Sequence, residues 1–126
     1  MRRLFTILLV PLAAGALHGQ GRRPPFSVIE AGIPEMRRAM EQRRVTSREL
    51  VVQYLTRIAL YEDKLNAAIT VNPKALQEAE ALDRERAQGR VRGPLHGIPI
   101  AIKDNIHTTD MPTTGGAVAL DRKSVV

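Results

Sequence analysis

An apolar run closed by a lysine is hard to place in a fold, and this chain contains one. The stretch reads Gly93-Pro94-Leu95-His96-Gly97-Ile98-Pro99-Ile100-Ala101-Ile102-Lys103-Asp104-Asn105-Ile106. Gly93-Pro94 turns the chain, and Gly97 turns it again. Residues 98–102 are apolar and rich in β-branched side chains, a pattern that predicts a short buried strand. Lys103 stands at the end of it. An ammonium taken out of water must be paired, hydrogen-bonded or held neutral. A lysine held neutral can accept a proton and act as a general base. On residue types alone, a solvated or ion-paired lysine is the commoner arrangement. Asp104 and Asn105 follow, with side chains that favour a turn. The local expectation is a strand that delivers one amine to a crevice edge, with the chain turning away behind it.

Helices are predicted ahead of this stretch. Residues 33–44 open with Pro34 and Glu35, which suit a first helical turn, and carry an apolar stripe of Ile33, Met36 and Met40. Residues 46–66 give the clearest signal: Thr46 with Glu49 three later forms a capping box, and Leu50, Val51, Tyr54, Leu55, Ile58 and Leu65 recur at helical spacing. Arg48, Gln53, Arg57 and Glu62 fall mostly on the opposite face. Residues 67–71 end in β-branched side chains and predict a second short strand. Asn72-Pro73 then supplies a cap and a first-turn proline for a helix over residues 74–88, with Ala75, Leu76, Ala79 and Leu82 inward and Gly89 placed to end it.

The N-terminus has a different character. Met1-Arg2-Arg3 is basic, residues 4–17 are apolar apart from Thr6, and Ala13-Ala14-Gly15-Ala16 is small throughout. That three-part layout predicts a secretory signal peptide over residues 1–20, with an apolar centre short for a bilayer span. A buried helix or an N-terminal anchor is the alternative. Arg22-Arg23-Pro24-Pro25 disfavours helix, so residues 21–32 read as a linker and residues 33–126 as the folded portion. The expected location is secreted or periplasmic, with no stable membrane span once the leader is removed.

Composition excludes several functions. Net charge is +6, but the arginines fall into two groups, the later one interleaved with acidic residues, and only Phe5, Phe26, Tyr54 and Tyr61 are aromatic. A nucleic-acid surface needs a basic stripe with stacking groups, so no nucleic-acid partner is expected, and the charge reads as solvated helix faces. There is no cysteine. His96 and His107 lie on different loops without a third ligand, so neither a metal nor another cofactor is expected. Thr113-Thr114-Gly115-Gly116 offers hydroxyls and backbone amides that could cradle a substrate carbonyl or an anion, although it lacks the ending of a phosphate-binding loop. A plain surface loop is the equal alternative.

Gly93-Pro94-Leu95-His96-Gly97-Ile98-Pro99, followed by Lys103-Asp104-Asn105-Ile106 and Asp110-Met111-Pro112-Thr113-Thr114-Gly115-Gly116, resembles the lysine motif of the amidase signature family. The similarity extends backwards through Thr46-Ser47-Arg48-Glu49-Leu50 and Leu65-Asn66-Ala67. It covers about residues 33–121. The resemblance implies an α/β fold, a mixed sheet flanked by helices, of which this chain holds the N-terminal helices and first strands. It implies a hydrolase that cleaves a carboxylic amide C–N bond, acting on a small-molecule or peptide amide. In that family a serine attacks the carbonyl, a second serine in a cis peptide bond relays its proton, and a lysine is the final base. The base maps onto Lys103. Neither serine maps: the only serine after Lys103 is Ser124, outside any Gly-Gly-Ser-Ser-Gly-Gly run, and Ala117 replaces a serine common at that point.

Three expectations about the whole protein follow. The first is the N-terminal portion of a secreted amidase, cut short and inactive on its own. The second is a short non-catalytic helper or binding module. The third is a piece of a tRNA-dependent amidotransferase, which resembles the same lysine block but works in the cytosol beside partner subunits. No oligomeric state is implied.

Overall fold

The computed structural model describes residues 24–117. The leader read over residues 1–20 and the segment containing Ser124 lie outside the described residues.

Three helices carry the fold: α1 (Ile33–Glu41), α2 (Ser47–Leu65) and α3 (Ala75–Ala87), with α2 packed against α3. Helix α1 begins after Gly32 with Pro34 in its first turn. It stops three residues short of the sequence expectation. Arg43 adopts a left-handed φ of 55°, and the amides of Arg43 and Arg44 bond back to the carbonyls of Met40 and Ala39 at 3.0 and 2.8 Å. This is a Schellman ending with arginine where glycine is usual. The early stop carries Val45 into the core, where it is buried.

Helix α2 starts on the predicted capping box: Thr46 Oγ1 accepts from the Glu49 amide at 3.1 Å, and the Thr46 amide donates to Glu49 Oε2 at 2.8 Å. A second cap comes from α3. Asp83 accepts from the amides of Ser47 and Arg48 at 2.7 and 3.0 Å. The first three amides of α2, which no intrahelical carbonyl can reach, are thereby all engaged. Asn66, at φ 48° and ψ 45°, ends the helix in the left-handed region. Helix α3 follows an Asn72 turn, in which Oδ1 accepts from the Lys74 amide at 2.8 Å. It closes in a Schellman motif at Gly89, φ 76°, with Arg90 N bonded to Glu85 O at 2.9 Å.

The core gathers Val28, Met36, Ala39, Met40, Val45, Leu50 and Ile98, with Phe26, Ala31 and Tyr54 packed against it. Leu50 is fully buried at its centre. Phe26 and Val28 come from the segment read as a linker. The Gln53 carboxamide holds them, accepting from Val28 N at 3.0 Å and donating to Phe26 O at 3.1 Å. Helical spacing puts Gln53 on the solvent side of α2, but it faces this backbone instead.

Two sequence expectations are corrected. Residues 67–71 and 98–102 are not strands; the described residues contain helices, turns and irregular chain only. Ile98 alone of its run is buried, while Ile100 and Ile102 are 58% and 49% exposed. A strand requires a neighbour about 5 Å away to complete its ladder. These two segments do not pair with each other. They line a shared groove instead. The β-branched composition of both runs is that of chain suited to a sheet, without the sheet.

The Arg43 ending gives a direct test. Arg43→Gly should raise stability by about 0.5–1 kcal/mol, because glycine adopts a left-handed φ without a Cβ clash. Thr46→Ala should lower it by about 1 kcal/mol through loss of the cap. Urea unfolding of the purified chain, followed by circular dichroism at 222 nm, measures both.

Candidate active site

The lysine segment is fixed at its near end by the helices. Ser47, buried in the first turn of α2, donates its hydroxyl to the carbonyl of Gly97 at 2.7 Å. Gly97 has φ 77°, and a Cβ there would lie 3.0 Å from Ser47 Cβ. Both the backbone conformation and the close approach therefore favour glycine. His96 is buried beside it. Its Nε2 lies 2.9 Å from Leu82 O and its Nδ1 accepts from Arg92 N at 3.3 Å, a pairing that places the ring proton on Nε2. Arg86 donates to His96 O at 2.9 Å. Helix α3 thus holds the Gly93–Gly97 turn by a side chain and a carbonyl at once.

From Ile98 the chain runs to Lys103, which is exposed and lines an apolar groove of about 640 Å³. The opposite wall is the α2 face of Val51, Tyr54, Leu55 and Ile58. The expectation of an amine at a crevice edge therefore holds in position. The expectation of a buried strand behind it does not.

The far end of the segment is fixed by Asp104. Its carboxylate accepts from the Thr114 amide at 2.9 Å, from the Thr114 hydroxyl and from the Gly116 amide at 3.3 Å, and its carbonyl accepts from the Gly115 amide at 3.1 Å. The hydroxyl of Thr114, together with its amide and that of Gly116, holds the Asp104 carboxyl below the ordinary carboxylate range, and the charge of Lys103 adds the smallest contribution. Thr114 is buried, and Thr113 Oγ1 reaches back to Ile106 O at 3.4 Å. The sequence leaves residues 113–116 equally a cradle of open amides for a substrate or a plain surface loop. The amides of Thr114, Gly115 and Gly116 are instead occupied within the chain. Through Asp104 the loop is tied to the residue next to Lys103.

Sequence reasoning singles out Lys103 and the loop but misses the residues that position them. Ser47, Asp83 and His96 act across 50, 36 and 14 residues. Only Gly97, with no side chain, hints in the motif at a close approach. Among the described residues, no group of three His, Asp or Glu is arranged to hold a metal ion, and no helix is long and apolar enough to cross a membrane.

The Amidase family model matches residues 49–124, a span that takes in most of α2 and the whole lysine segment. The chain belongs to the amidase signature family. Among amidase relatives, the chloroplastic/mitochondrial glutamyl-tRNA(Gln) amidotransferase subunit of Vitis vinifera is 40% identical over 98 residues, covering 78% of this chain and 18% of that protein. A probable amidase of Arabidopsis thaliana is 44% identical over 98 residues, covering 75% of this chain and 19% of that protein. The solved native peptide amidase from Stenotrophomonas maltophilia superposes with a TM-score of 0.70 at 44% identity, over 72% of this chain and 19% of that one. The chain therefore spans about a fifth of the length of the relatives it matches. The described helices and lysine segment correspond to part of an amidase fold, and the sheet expected of that fold is not formed among them.

The Asp104 clasp sets a pH dependence. A carboxyl whose folded-state value is depressed contributes stability that is present above its unfolded value and is lost as pH falls through the folded one. Hydrogen-exchange protection of the Thr114 and Gly116 amides should survive through the usual carboxylate range, about pH 4, and disappear below it. Asp104→Ala should abolish that protection at neutral pH. In the same measurements Gly97→Ala should unfasten the turn from Ser47, with a loss of about 1–3 kcal/mol in global stability.

Proposed function

We propose that this chain supplies the base of an amidase that hydrolyses a carboxylic amide C–N bond, with Lys103 as the terminal proton acceptor of a Ser–cisSer–Lys relay. One observation carries the reading: the lysine block is continuous from Gly93 to Ile106 and lies within the stretch matched by the Amidase family model. The exposed position of Lys103 on an open groove is compatible with it.

In the reaction, the attacking serine hydroxyl forms a bond to the amide carbon and passes its proton through the bridging serine to Lys103 Nζ. The tetrahedral intermediate then collapses, the C–N bond breaks, and the proton returns to the departing amine. Water repeats the sequence on the acyl-serine and releases the carboxylic acid. Both serines, and the amide donors for the oxyanion, would come from the four-fifths of the relatives' length that this chain does not span. No cofactor enters these steps.

The likeness to a peptide amidase supports a small-molecule or peptide amide as substrate. The basic, apolar and small-residue layout of residues 1–20 supports a secreted or periplasmic protein. A second reading is a component of a tRNA-dependent amidotransferase, favoured by relatives such as the Vitis vinifera protein. The leader-like N-terminus opposes it. Cleavage of the leader and recovery of the protein outside the cytosol would decide between them.

In the full-length protein, Lys103→Ala should lower kcat for a small aryl amide by about 10²–10⁴-fold, the usual contribution of a positioned base, while circular dichroism remains unchanged. A rate close to wild type would place the base elsewhere. The 126-residue chain alone should show no turnover.

A further inference from the structure

The sequence neighbour of the proposed base is a carboxylate, and that is an awkward pairing. A free aspartate beside a lysine stabilises the ammonium and withdraws it from use as a base. Among the described residues, four ion pairs are formed, and Lys103 is in none of them. The Asp104 carboxylate is taken up on the other side by three donors of the loop: the Thr114 amide, the Thr114 hydroxyl and the Gly116 amide. The adjacent backbone is held too, since the Gly115 amide donates to Asp104 O. Among the described residues, Lys103 and Asp104 are the only charged side chains lining the groove, and the remaining titratable group on its walls, Tyr54, directs its hydroxyl to Met36 Sδ at 3.7 Å. The groove walls described present no other charge to the amine.

We propose that Asp104 and Thr114 are positioning residues whose clasp turns the carboxylate onto the residue 113–116 loop and thereby keeps it from holding Lys103 as an ion-paired ammonium. This assigns the loop a role different from binding a substrate carbonyl with its amides. It rests on the reading of Lys103 as the base, but the property it concerns, the reactivity of the amine, exists whether or not the protein hydrolyses anything. The lowered carboxyl of Asp104, caused first by the Thr114 hydroxyl and last by Lys103, accords with a charge satisfied by the loop more than by the amine.

The clasp can be opened without touching the amine. Thr114→Val removes the hydroxyl and keeps the shape; Thr114→Ser keeps the hydroxyl. Trace acetic anhydride, added to the purified chain at fixed pH, acylates neutral amines, and peptide mass spectrometry gives the labelling rate of Lys103 relative to Lys64 at the far end of α2. Thr114→Val should slow Lys103 labelling threefold or more, Thr114→Ser should restore it, and adding Asp104→Asn to Thr114→Val should restore it as well. Asp104→Asn alone should change the rate by less than twofold. Unchanged labelling in Thr114→Val would overturn the proposal, as would a threefold rise in Asp104→Asn alone, which would mean that the carboxylate already holds the amine. If Thr114→Val does not fold, a threefold rise in Asp104→Asn alone can still overturn the proposal. Loss of hydrolysis in Lys103→Ala tests the base separately, so failure of one claim does not pass for failure of the other.

Discussion

The hydrogen bond from the buried Ser47 hydroxyl to Gly97 O joins the helical part of this chain to the lysine segment. It fixes the near end of that segment. Ser47 is placed by the capping box and by Asp83, so the two helices are locked where the lysine segment docks. Gly97 enters with a left-handed φ and no Cβ, at a separation that would crowd any larger residue. The buried hydroxyl and carbonyl satisfy each other; separating them would leave two polar groups without water, at about 1–3 kcal/mol each. His96 repeats the device one residue earlier, with both ring nitrogens engaged. The direction in which the chain leaves this junction, towards Lys103, is set by contacts that lie well away from the amine.

The segment is held at both ends and loose between them. Ile98 is packed into the core, and Asp104 is tied to the loop at residues 113–116, while Ile100 and Ile102 line the groove and stay exposed. The span is therefore anchored at both ends, and the backbone of residues 99–102 makes no hydrogen bond to the other described residues. The α2 face of Val51, Leu55 and Ile58 forms the other wall of the same groove, so one apolar surface is shared by helix and lysine segment.

How much of this is readable in the residues depends on the range of the interaction. The capping box of α2 and the glycine ending of α3 are contacts between residues three to five apart, and both form as expected. The left-handed turn at Arg43 breaks the expected length of α1 because it accompanies the burial of Val45, and arginine gives no local sign of it. The two strands fail for a related reason: β-branched composition expresses a preference, whereas a strand exists only with a partner. Lys103 stands out in the sequence as a charged residue closing an apolar run, and the structure leaves it exposed on the groove. The loop is legible only in part. Its glycines and threonines read as donors, but their acceptor, Asp104, lies ten residues from Thr114 and reads only as a turn former.

The amine of Lys103 must lie within reach of a hydroxyl for it to serve as the base. A crystal structure of the full-length protein would measure this directly, as the distance from Lys103 Nζ to the nearest serine Oγ. The expected result is a hydrogen-bonding separation of about 2.6–3.2 Å, with that serine adjacent to a second one. Lys103 Nζ pointing into bulk solvent, with no serine hydroxyl near it, would contradict the assignment.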